Sequence, residues 1–192
     1  MIDSIVKNTD SDDIDELVMR ARIDSNALSI LYDMYYARIL LYCQRRLNCM
    51  HAAQDITSEV FLIVATKIRG FTGNTETVFC SWIYTIATNQ CNLYLRNNIR
   101  RKELMSIIKK EAVCQANADL SSDVNWQGLY NAISKLKHDY QSIIMLRFFE
   151  KMTHKQISEI LKANPVTIRV KQLRALSKLK KFLGKDFTCG GD

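Results

Sequence analysis

The sequence predicts an all-α protein with two small helical domains joined by a flexible linker. Apolar residues recur at helical spacing through most of the chain. The 192 residues include one proline and six glycines, which is too few for the many turns of a sheet protein of this size. The apolar pattern is interrupted between residues 101 and 123, and this break divides the predicted helices into two groups.

Four helices are predicted in the first group. The first apolar stripe covers residues 14–21, and a second, longer stripe ends near Asn48. A third helix begins near His51 and stops at Gly70, a residue suited to a left-handed helix cap. After a polar loop, a fourth helix presents a further apolar stripe, and the four helices predict a bundle-like domain over residues 20–100. The fourth stripe consists of Phe79, Trp82, Ile83, Ile86, Ala87 and Tyr94.

The linker is predicted over residues 101–123, because residues 115–123 are small and polar and almost free of bulky apolar groups. Its first part carries Leu104, Ile107 and Ile108, which can extend the fourth helix. A second domain is predicted over residues 124–184, followed by a tail over 185–192. Its apolar pattern begins with Trp126, Leu129, Ile133 and Leu136 and continues with Tyr140, Ile143, Ile144 and Leu146.

The end of the second domain carries the signals of a helix-turn-helix. Thr153 and Gln156 have the spacing of a capping box at the start of a short helix. After a turn of three residues, Asn164 can cap the next helix, and Pro165 occupies its first position, where the missing N–H costs nothing. Two helices joined so tightly are typical of a helix-turn-helix.

The second helix of this unit is cationic and has no acidic residue from position 165 to 183. Such a helix can lie in the major groove of DNA, with its first residues at base edges and its later cations on phosphates. A solvated basic face on a packing helix is the alternative interpretation. Because capping, spacing and charge agree, we favour DNA recognition. The cations are Arg169, Lys171, Arg174, Lys178, Lys180 and Lys181.

The overall charge also points to a polyanionic partner. The formal net charge is +7, although residues 1–19 form an acidic segment, so the remainder of the chain is more basic still. Simple solubility is the alternative explanation for a charge of this size. The longest apolar run, residues 60–65, is far below the roughly 20 residues that span a bilayer, and the acidic N-terminus is unlike a signal peptide. We therefore expect a soluble, cytoplasmic protein with no membrane partner.

The residues that could support catalysis or metal binding are scattered. The six cysteines include no CxxC pair and are expected to be core thiols in a reducing compartment. A zinc site from Cys43, Cys49 and His51 would not match a known ligand spacing. No glycine-rich phosphate loop or paired-carboxylate motif is present. We expect no catalytic site, metal, cofactor or small-molecule substrate, and the chain is not predicted to be an enzyme.

Several motifs resemble a known family. LYDMYY at 31–36, QDITSEVF at 54–61, SWIYTIATN at 81–89 and YLR at 94–96 resemble region 2 of the extracytoplasmic-function (ECF) sigma factors, group 4 of the sigma-70 family. The residues at 136, 140, 146–148, 152–153, 156–157, 160–161, 167–169 and 174–175 resemble their region 4. The resemblance covers roughly residues 20 to 183 in the right order and spacing.

The resemblance implies a transcription initiation factor that binds the clamp helices and the flap of RNA polymerase core. It assigns polymerase binding to Asp55, Glu59 and Phe61. Asp55 and Glu59 are one helical turn apart and can face a basic partner surface, although an ordinary solvated helical pair is the alternative. An anti-sigma factor is a further partner that the resemblance suggests, and promoter DNA is the nucleic acid.

The resemblance further implies that the first domain opens the −10 element of the promoter. Phe71 and Phe79 bracket a short polar loop, and aromatic rings beside Asn and Thr can hold an unstacked base. Core packing of either phenylalanine is an equal alternative. The residues assigned to the −10 element are Phe71, Asn74, Thr75, Phe79, Trp82, Asn89 and Arg96.

The second domain is implied to recognise the −35 element. The sequence departs from the family pattern at Lys162, where a glycine is usual in the turn, at Val166, and at Gln172, which stands at an inward apolar position. These departures affect the individual base contacts. The residues assigned to the −35 element are Thr153, Thr167, Arg169, Val170, Lys171, Arg174 and Lys178.

Two other functions are compatible with parts of the sequence. A free-standing helix-turn-helix regulator would use the first domain for dimerisation or sensing, and a cysteine-based sensor would use the thiols for redox chemistry or metal binding. The stretches at 54–61 and 71–89 have a role in a sigma factor and none in a simple repressor. We therefore favour the sigma factor.

Overall fold

The computed structural model describes residues 11–108 and 126–183, and its described segments contain helices and no strand. This confirms the predicted all-α class. The first domain consists of α1 (Ser11–Arg20), α2 (Ser25–Leu47), α3 (Met50–Lys67) and α4 (Glu76–Ile108). The second domain consists of α5 (Trp126–Ser134), α6 (His138–Ile144), α7 (His154–Leu161) and α8 (Pro165–Leu183).

The ends of α2 and α3 follow from local chemistry. Asp24 caps α2, since its carboxylate accepts a hydrogen bond of 2.8 Å from the backbone N–H of Asn26. Asn48 ends α2 with a left-handed φ of 50°, at the position where the sequence predicts the end of this helix. A 3₁₀ turn over Ile68–Gly70 follows α3, and the N–H of Phe71 closes it on the carbonyl of Ile68. Gly70 has no left-handed φ, so the predicted left-handed cap is wrong, because the 3₁₀ turn already satisfies the end of the helix.

Buried tyrosines join α2 to α4 in the core of the first domain. The Tyr42 hydroxyl shares a hydrogen bond of 2.8 Å with Thr88, and the Tyr35 hydroxyl donates to Glu76 at 3.0 Å. The rings of Tyr42 and Tyr84 meet edge to face at 5.3 Å. Each ring buries a large apolar surface while its hydroxyl keeps a partner, which is the condition for burying tyrosine at low cost.

The described cysteines are free thiols. Cys43 and Cys91 are fully buried between α2 and α4, with 3.7 Å between their sulfur atoms. Cys49 and Cys80 are partly exposed, and burial raises the pKa of the Cys80 thiol to about 11. Across residues 11–108 and 126–183, no group of three His, Cys, Asp or Glu side chains is placed to hold a metal ion. Cys114 and Cys189 lie outside the described residues.

The second domain continues α6 as a π-helical turn over Met145–Phe149. Arg147 fastens the end of this turn by donating to the carbonyl of Met152 at 2.8 Å. Ile157 from α7 and Ile168 from α8 are fully buried in the core beside this turn. The fourth helix, α4, extends beyond the predicted domain limit at residue 100 to Ile108, and most of the predicted linker lies outside the described residues.

The two domains meet through buried polar side chains. Arg46 of α2 is only 5% exposed, and its guanidinium donates to Gln141 of α6 at 2.6 Å and to Asn92 of α4 at 2.7 Å. Nearby, the Tyr84 hydroxyl donates to the carboxylate of Glu150 in a short hydrogen bond. Burial, and then the negative charge of Glu150, raise the pKa of Tyr84. These hydrogen bonds accompany apolar packing, because the buried apolar side chains of both domains belong to one hydrophobic cluster.

Replacing the buried arginine should destabilise the protein far more than replacing an exposed one. Arg46→Ala leaves two buried amide oxygens without their charged donor, so we expect the free energy of unfolding to fall by about 2 to 4 kcal/mol. Arg20→Ala is the matched control, because Arg20 forms an exposed ion pair with Asp24 at 3.2 Å, and such pairs contribute about 0.5 kcal/mol or less. Urea unfolding followed by far-UV circular dichroism measures both. Equal losses would contradict a structural role for the buried guanidinium.

Candidate nucleic-acid interface

The helix-turn-helix is built by three local devices. The capping box is complete: the Thr153 N–H donates to the Gln156 side chain at 2.9 Å, and the Gln156 N–H donates to the Thr153 hydroxyl at 3.3 Å. Lys162 makes the turn in the left-handed region, with φ 50° and ψ 46°. Asn164 caps α8 by accepting from the N–H of Val166 at 2.8 Å. The predicted caps and the predicted non-glycine turn are confirmed.

Helix α8 has a buried side and an exposed cationic side. Ile168, Ala175 and Leu179 are buried against the second domain. No acidic residue occurs in α8, so the exposed side presents uncompensated positive charge and can bind a polyanion. Five of the residues predicted at the −35 element are exposed on this helix, namely Thr167, Arg169, Val170, Arg174 and Lys178.

Lys171, the sixth predicted residue of α8, and Lys178 have partners within the second domain. Lys171 forms an ion pair with Asp139 of α6 at 2.7 Å. Lys178 lies 5.5 Å from the centroid of the Tyr140 ring, a cation–π geometry. Gln172 shares a hydrogen bond of 2.6 Å with the ring of His154. This pair explains how a polar residue occupies the inward position where the family pattern has an apolar one, since the histidine supplies the partner that burial requires.

The loop between α3 and α4 carries an aromatic pair. The Phe71 ring stacks on the Trp82 indole with 4.6 Å between centroids and 24° between planes. Both side chains are partly exposed, whereas Phe79 has no exposed surface and contacts Phe71 and Tyr35 by its edge at 5.9 and 5.3 Å. Phe79 therefore supports the aromatic pair from the core side, and Phe71 and Trp82 are the rings within reach of a ligand.

Residues of α1 and of the α1–α2 connection hold this loop in place. The guanidinium of Arg22 donates to the Asn74 side chain at 2.8 Å and to the carbonyl of Gly73. The Asp15 carboxylate accepts from the N–H of Glu76 at 2.6 Å. Sequence reasoning did not identify Arg22 or Asp15, because their partners are more than 50 residues away and no local motif indicates these pairs.

Thr75 and Gly73 have structural roles in the same loop. The Thr75 hydroxyl accepts from the N–H of Val78 at 3.3 Å and so caps the first turn of α4. A Cβ atom at Gly73 would lie 2.4 Å from the Phe71 ring and 2.5 Å from Val78. The loop can therefore approach the aromatic ring closely only with glycine at this position.

An open cleft of about 710 Å³ lies beside the aromatic pair. Its walls include Phe71, Trp82, Ser81 and Thr85, with Glu159 of α7 at one side. The hydroxyl of Ser81 is buried and has no hydrogen-bond partner among the described residues. The flat aromatic surface suits a planar heterocycle that stacks on it.

Asn89 and Arg96 face the second domain. Asn89 of α4 and Lys171 of α8 line one crevice of about 210 Å³ between the domains. Arg96 lines a neighbouring cleft of about 450 Å³ with His138, whose pKa is lowered by burial. A crevice of this size is too small for a DNA duplex, whose major groove alone is about 12 Å wide. In this arrangement, Asn89 and Lys171 therefore line a crevice that a duplex cannot enter.

The outer face of α3 carries the predicted acidic pair. Asp55 and Glu59 are exposed, and neither forms an ion pair with any described residue. Leu62, three positions after Glu59, is 64% exposed on the same face. Phe61 is buried beneath this face, with its ring 4.7 Å from that of Tyr32. The face therefore combines two unpaired carboxylates with an exposed leucine.

Family comparisons match both domains. The family model described as Sigma-70 region 2 matches residues 31–101, and the family model described as Sigma-70, region 4 matches residues 126–179. Two solved structures share the fold, each with a TM-score of 0.68. One is the sigma factor RpoE of Bartonella quintana in complex with the anti-sigma factor NepR, at 18% identity over 82% of this chain and 97% of that chain. The other is CnrH with the cytosolic domain of CnrY, at 16% identity over 92% and 99%.

Curated relatives from Bacillus subtilis (strain 168) cover nearly the same span. The chain is 28% identical to the RNA polymerase sigma factor YlaC over 83% of this chain and 94% of that protein. It is 27% identical to the ECF RNA polymerase sigma factor SigW over 88% and 98%, and 30% identical to the RNA polymerase sigma factor SigV over 79% and 86%. A free-standing regulator would not need region 2, so that alternative is not supported. The chain belongs to the ECF group of the sigma-70 family, whose members bind RNA polymerase core and promoter DNA and direct promoter-specific transcription initiation.

Proposed function

We propose that this sigma factor binds RNA polymerase core through the outer face of α3 and recognises its promoter with two separate surfaces. The aromatic pair beside α4 receives a base of the opened −10 strand, and α8 enters the major groove of the −35 element. The observation that carries the proposal is the exposed, acid-free side of α8 in a fully capped helix-turn-helix. Sigma factors are initiation factors, and we propose that this chain has no catalytic activity of its own and acts in the cytoplasm, where bacterial polymerase works.

The docking face for polymerase consists of Asp55, Glu59 and Leu62. Two unpaired carboxylates one helical turn apart favour a basic partner surface and increase the rate of encounter with it. The exposed leucine supplies apolar area that loses contact with water in the complex. Phe61 supports this face from beneath through the aromatic cluster with Tyr32.

The −10 contacts are divided between stacking and hydrogen bonding. Phe71 and Trp82 offer partly exposed ring surface for stacking, and the exposed Asn74 side chain offers hydrogen-bonding groups. Asn74 presents its amide NH₂ outward, because the guanidinium of Arg22 has only donors and must face the amide oxygen. Thr75 acts by capping α4, and Asn89 and Arg96 contact the DNA that leads into this cleft.

The domains have to separate for both elements to be bound. Elements named for positions −10 and −35 lie roughly 25 base pairs apart, which is on the order of 80 Å of duplex at 3.4 Å per step. Asn89 and Lys171 line a single crevice in the arrangement described here. We propose that the linker between α4 and α5 permits this separation and that the domains are residues 20–100 and 124–184. An anti-sigma partner is also proposed, because the structural neighbour RpoE was solved in complex with the anti-sigma factor NepR.

Charge reversal on the docking face should weaken polymerase binding without unfolding the protein. For Asp55→Lys with Glu59→Lys, we expect at least a tenfold loss in affinity for polymerase core, because two attractive charges become repulsive. Direct titration of labelled sigma factor with core enzyme measures this affinity. Glu16→Lys is the control, because it makes the same substitution as Glu59→Lys at an exposed acid of α1. Unchanged affinity in the double variant with an unchanged circular dichroism spectrum would rule out this docking face.

Removing the stacking surface should impair promoter opening more than duplex binding. A base stacked on an aromatic side chain contributes about 1 to 3 kcal/mol, so Phe71→Leu and Trp82→Leu should each reduce permanganate reactivity of −10 thymines by roughly fivefold or more. We expect Asn74→Ala to alter the preferred −10 base and to leave duplex affinity nearly unchanged. Phe148→Leu, at an exposed ring of the second domain, is the control. Unchanged opening and unchanged base preference would show that the loop is structural.

Two cations of α8 should differ in their effect on sequence preference. Arginine bonded to guanine discriminates by about 1 to 3 kcal/mol, so Arg169→Ala should relax preference at one −35 position by roughly tenfold. Lys178→Ala should weaken all sequences alike and reduce the salt slope by about one unit, because a phosphate contact releases a counterion without reading sequence. Holoenzyme binding to −35 variants at several salt concentrations separates the two effects. A uniform loss in both variants would contradict the placement of α8.

A further inference from the structure

Three of the large apolar side chains exposed on α8 lie in its first three turns. Val166 is 70% exposed, Val170 is 40% exposed and Leu173 is 63% exposed. Their spacings of four and three residues place them on one face of a helix with 3.6 residues per turn. We call these three residues the apolar stripe. It stands out because every charged residue of this helix is a cation.

The apolar stripe is not an extension of the core. Successive residues of a helix are rotated by about 100°, so Ile168, Ala175 and Leu179, which are buried, lie on the side of α8 opposite the stripe. The same rotation places Arg169 on one flank of the stripe and Arg174 on the other, and both are exposed. The face that points away from the protein is therefore an apolar strip between two cationic edges.

The charge around the stripe identifies its occupant as DNA. A partner helix would meet Arg169 and Arg174 at the two edges of the stripe. Cations of that helix would find no acidic residue in α8 to pair with. The major groove of DNA offers phosphates to both flanks and also offers an apolar group to the centre. That group is the 5-methyl group of thymine, which projects into the major groove and is contacted by apolar side chains.

We infer that the apolar stripe reads thymines in the −35 element through their 5-methyl groups. The inference rests on the proposed placement of α8 in the major groove and adds to it the base that the helix prefers. Val166 and Val170 belong to the first two turns, which come closest to the bases when a helix enters by its N-terminal end. Leu173 reaches the next step along the groove. Recognition by this helix is thus divided between hydrogen bonding by Arg169 and methyl contacts by the stripe.

Deoxyuridine in place of thymine tests this inference directly. The replacement removes one methyl group and keeps every hydrogen-bonding atom of the base. With holoenzyme that contains the full chain, we expect a loss of about threefold to fivefold in promoter affinity at one or two −35 positions, since burying one methyl group has an effect of this size. Substitution of thymines outside the −35 element should have no such effect.

Alanine variants connect the lost methyl group to particular side chains. In Val170→Ala and in Leu173→Ala, the deoxyuridine penalty should fall to nearly onefold at the position that each residue contacts, as a double-mutant cycle detects. Both sites are exposed, and alanine favours a helix, so the variants should fold. Phe182→Ala is the matched control, because Phe182 is 45% exposed on α8 but lies away from the stripe. Its deoxyuridine penalty should equal that of the unaltered protein.

The possible results separate this inference from the proposed function. If the holoenzyme prefers one −35 sequence but does not distinguish thymine from deoxyuridine, the inference is wrong and the proposed function stands. If the alanine variants keep the full deoxyuridine penalty, or lose affinity equally for both bases, the stripe does not read the methyl group. Absence of any −35 preference would overturn the placement of α8 itself, and the inference with it.

Discussion

Arg46 lies where helices of both domains meet, and its positive charge has to be hydrogen-bonded there. An unpartnered charge in apolar surroundings would be far more costly than the stability of a domain allows. The two terminal nitrogens of Arg46 donate to amide oxygens of Gln141 and Asn92 at 2.6 and 2.7 Å, while its Nε has no partner among the described residues. Gln141 in turn donates to the carbonyls of Ser134 and Leu136 at 3.0 and 2.9 Å. Because the Gln141 amide nitrogen donates to these two carbonyls, the Gln141 oxygen must face the guanidinium. Arg46 thereby joins α2 and α4, through Gln141, to the α5–α6 turn.

The polar nature of this contact has a functional consequence. Groups that hydrogen-bond one another across the contact can hydrogen-bond to water when the domains separate. A large apolar contact would instead lose all of its hydrophobic stabilisation on separation. Arg45 adds a second polar link, with its guanidinium 3.8 Å from the carboxylate of Glu150 and 4.7 Å from the centre of the Phe149 ring. These polar links are compatible with the domain separation proposed for binding both promoter elements.

The departures from the family pattern are accommodated by local compensation. Lys162 takes a left-handed backbone conformation that glycine adopts more easily, and the caps at Thr153 and Asn164 define the helices on both sides of it. Gln172 is paired with His154. Val166 is exposed, so a larger side chain before Thr167 meets no steric limit within the second domain. The helix-turn-helix geometry is therefore retained although all three positions have changed.

The sequence alone determined the helices, the caps at Thr153 and Asn164, the helix-turn-helix and the family, because these depend on residues within one or two turns of each other. Asp24, Thr153 and Asn164 act on backbone groups two or three residues away. Only the tertiary structure decided that Phe79 is buried while Phe71 and Trp82 remain accessible, and that Asn89 and Lys171 line one crevice. It also decided the pairing of Arg22 with Asn74, 52 positions apart, and of Arg46 with Gln141, 95 positions apart. Such pairs depend on the angles at which helices pack, and these angles arise from the fit of whole surfaces rather than from any local period.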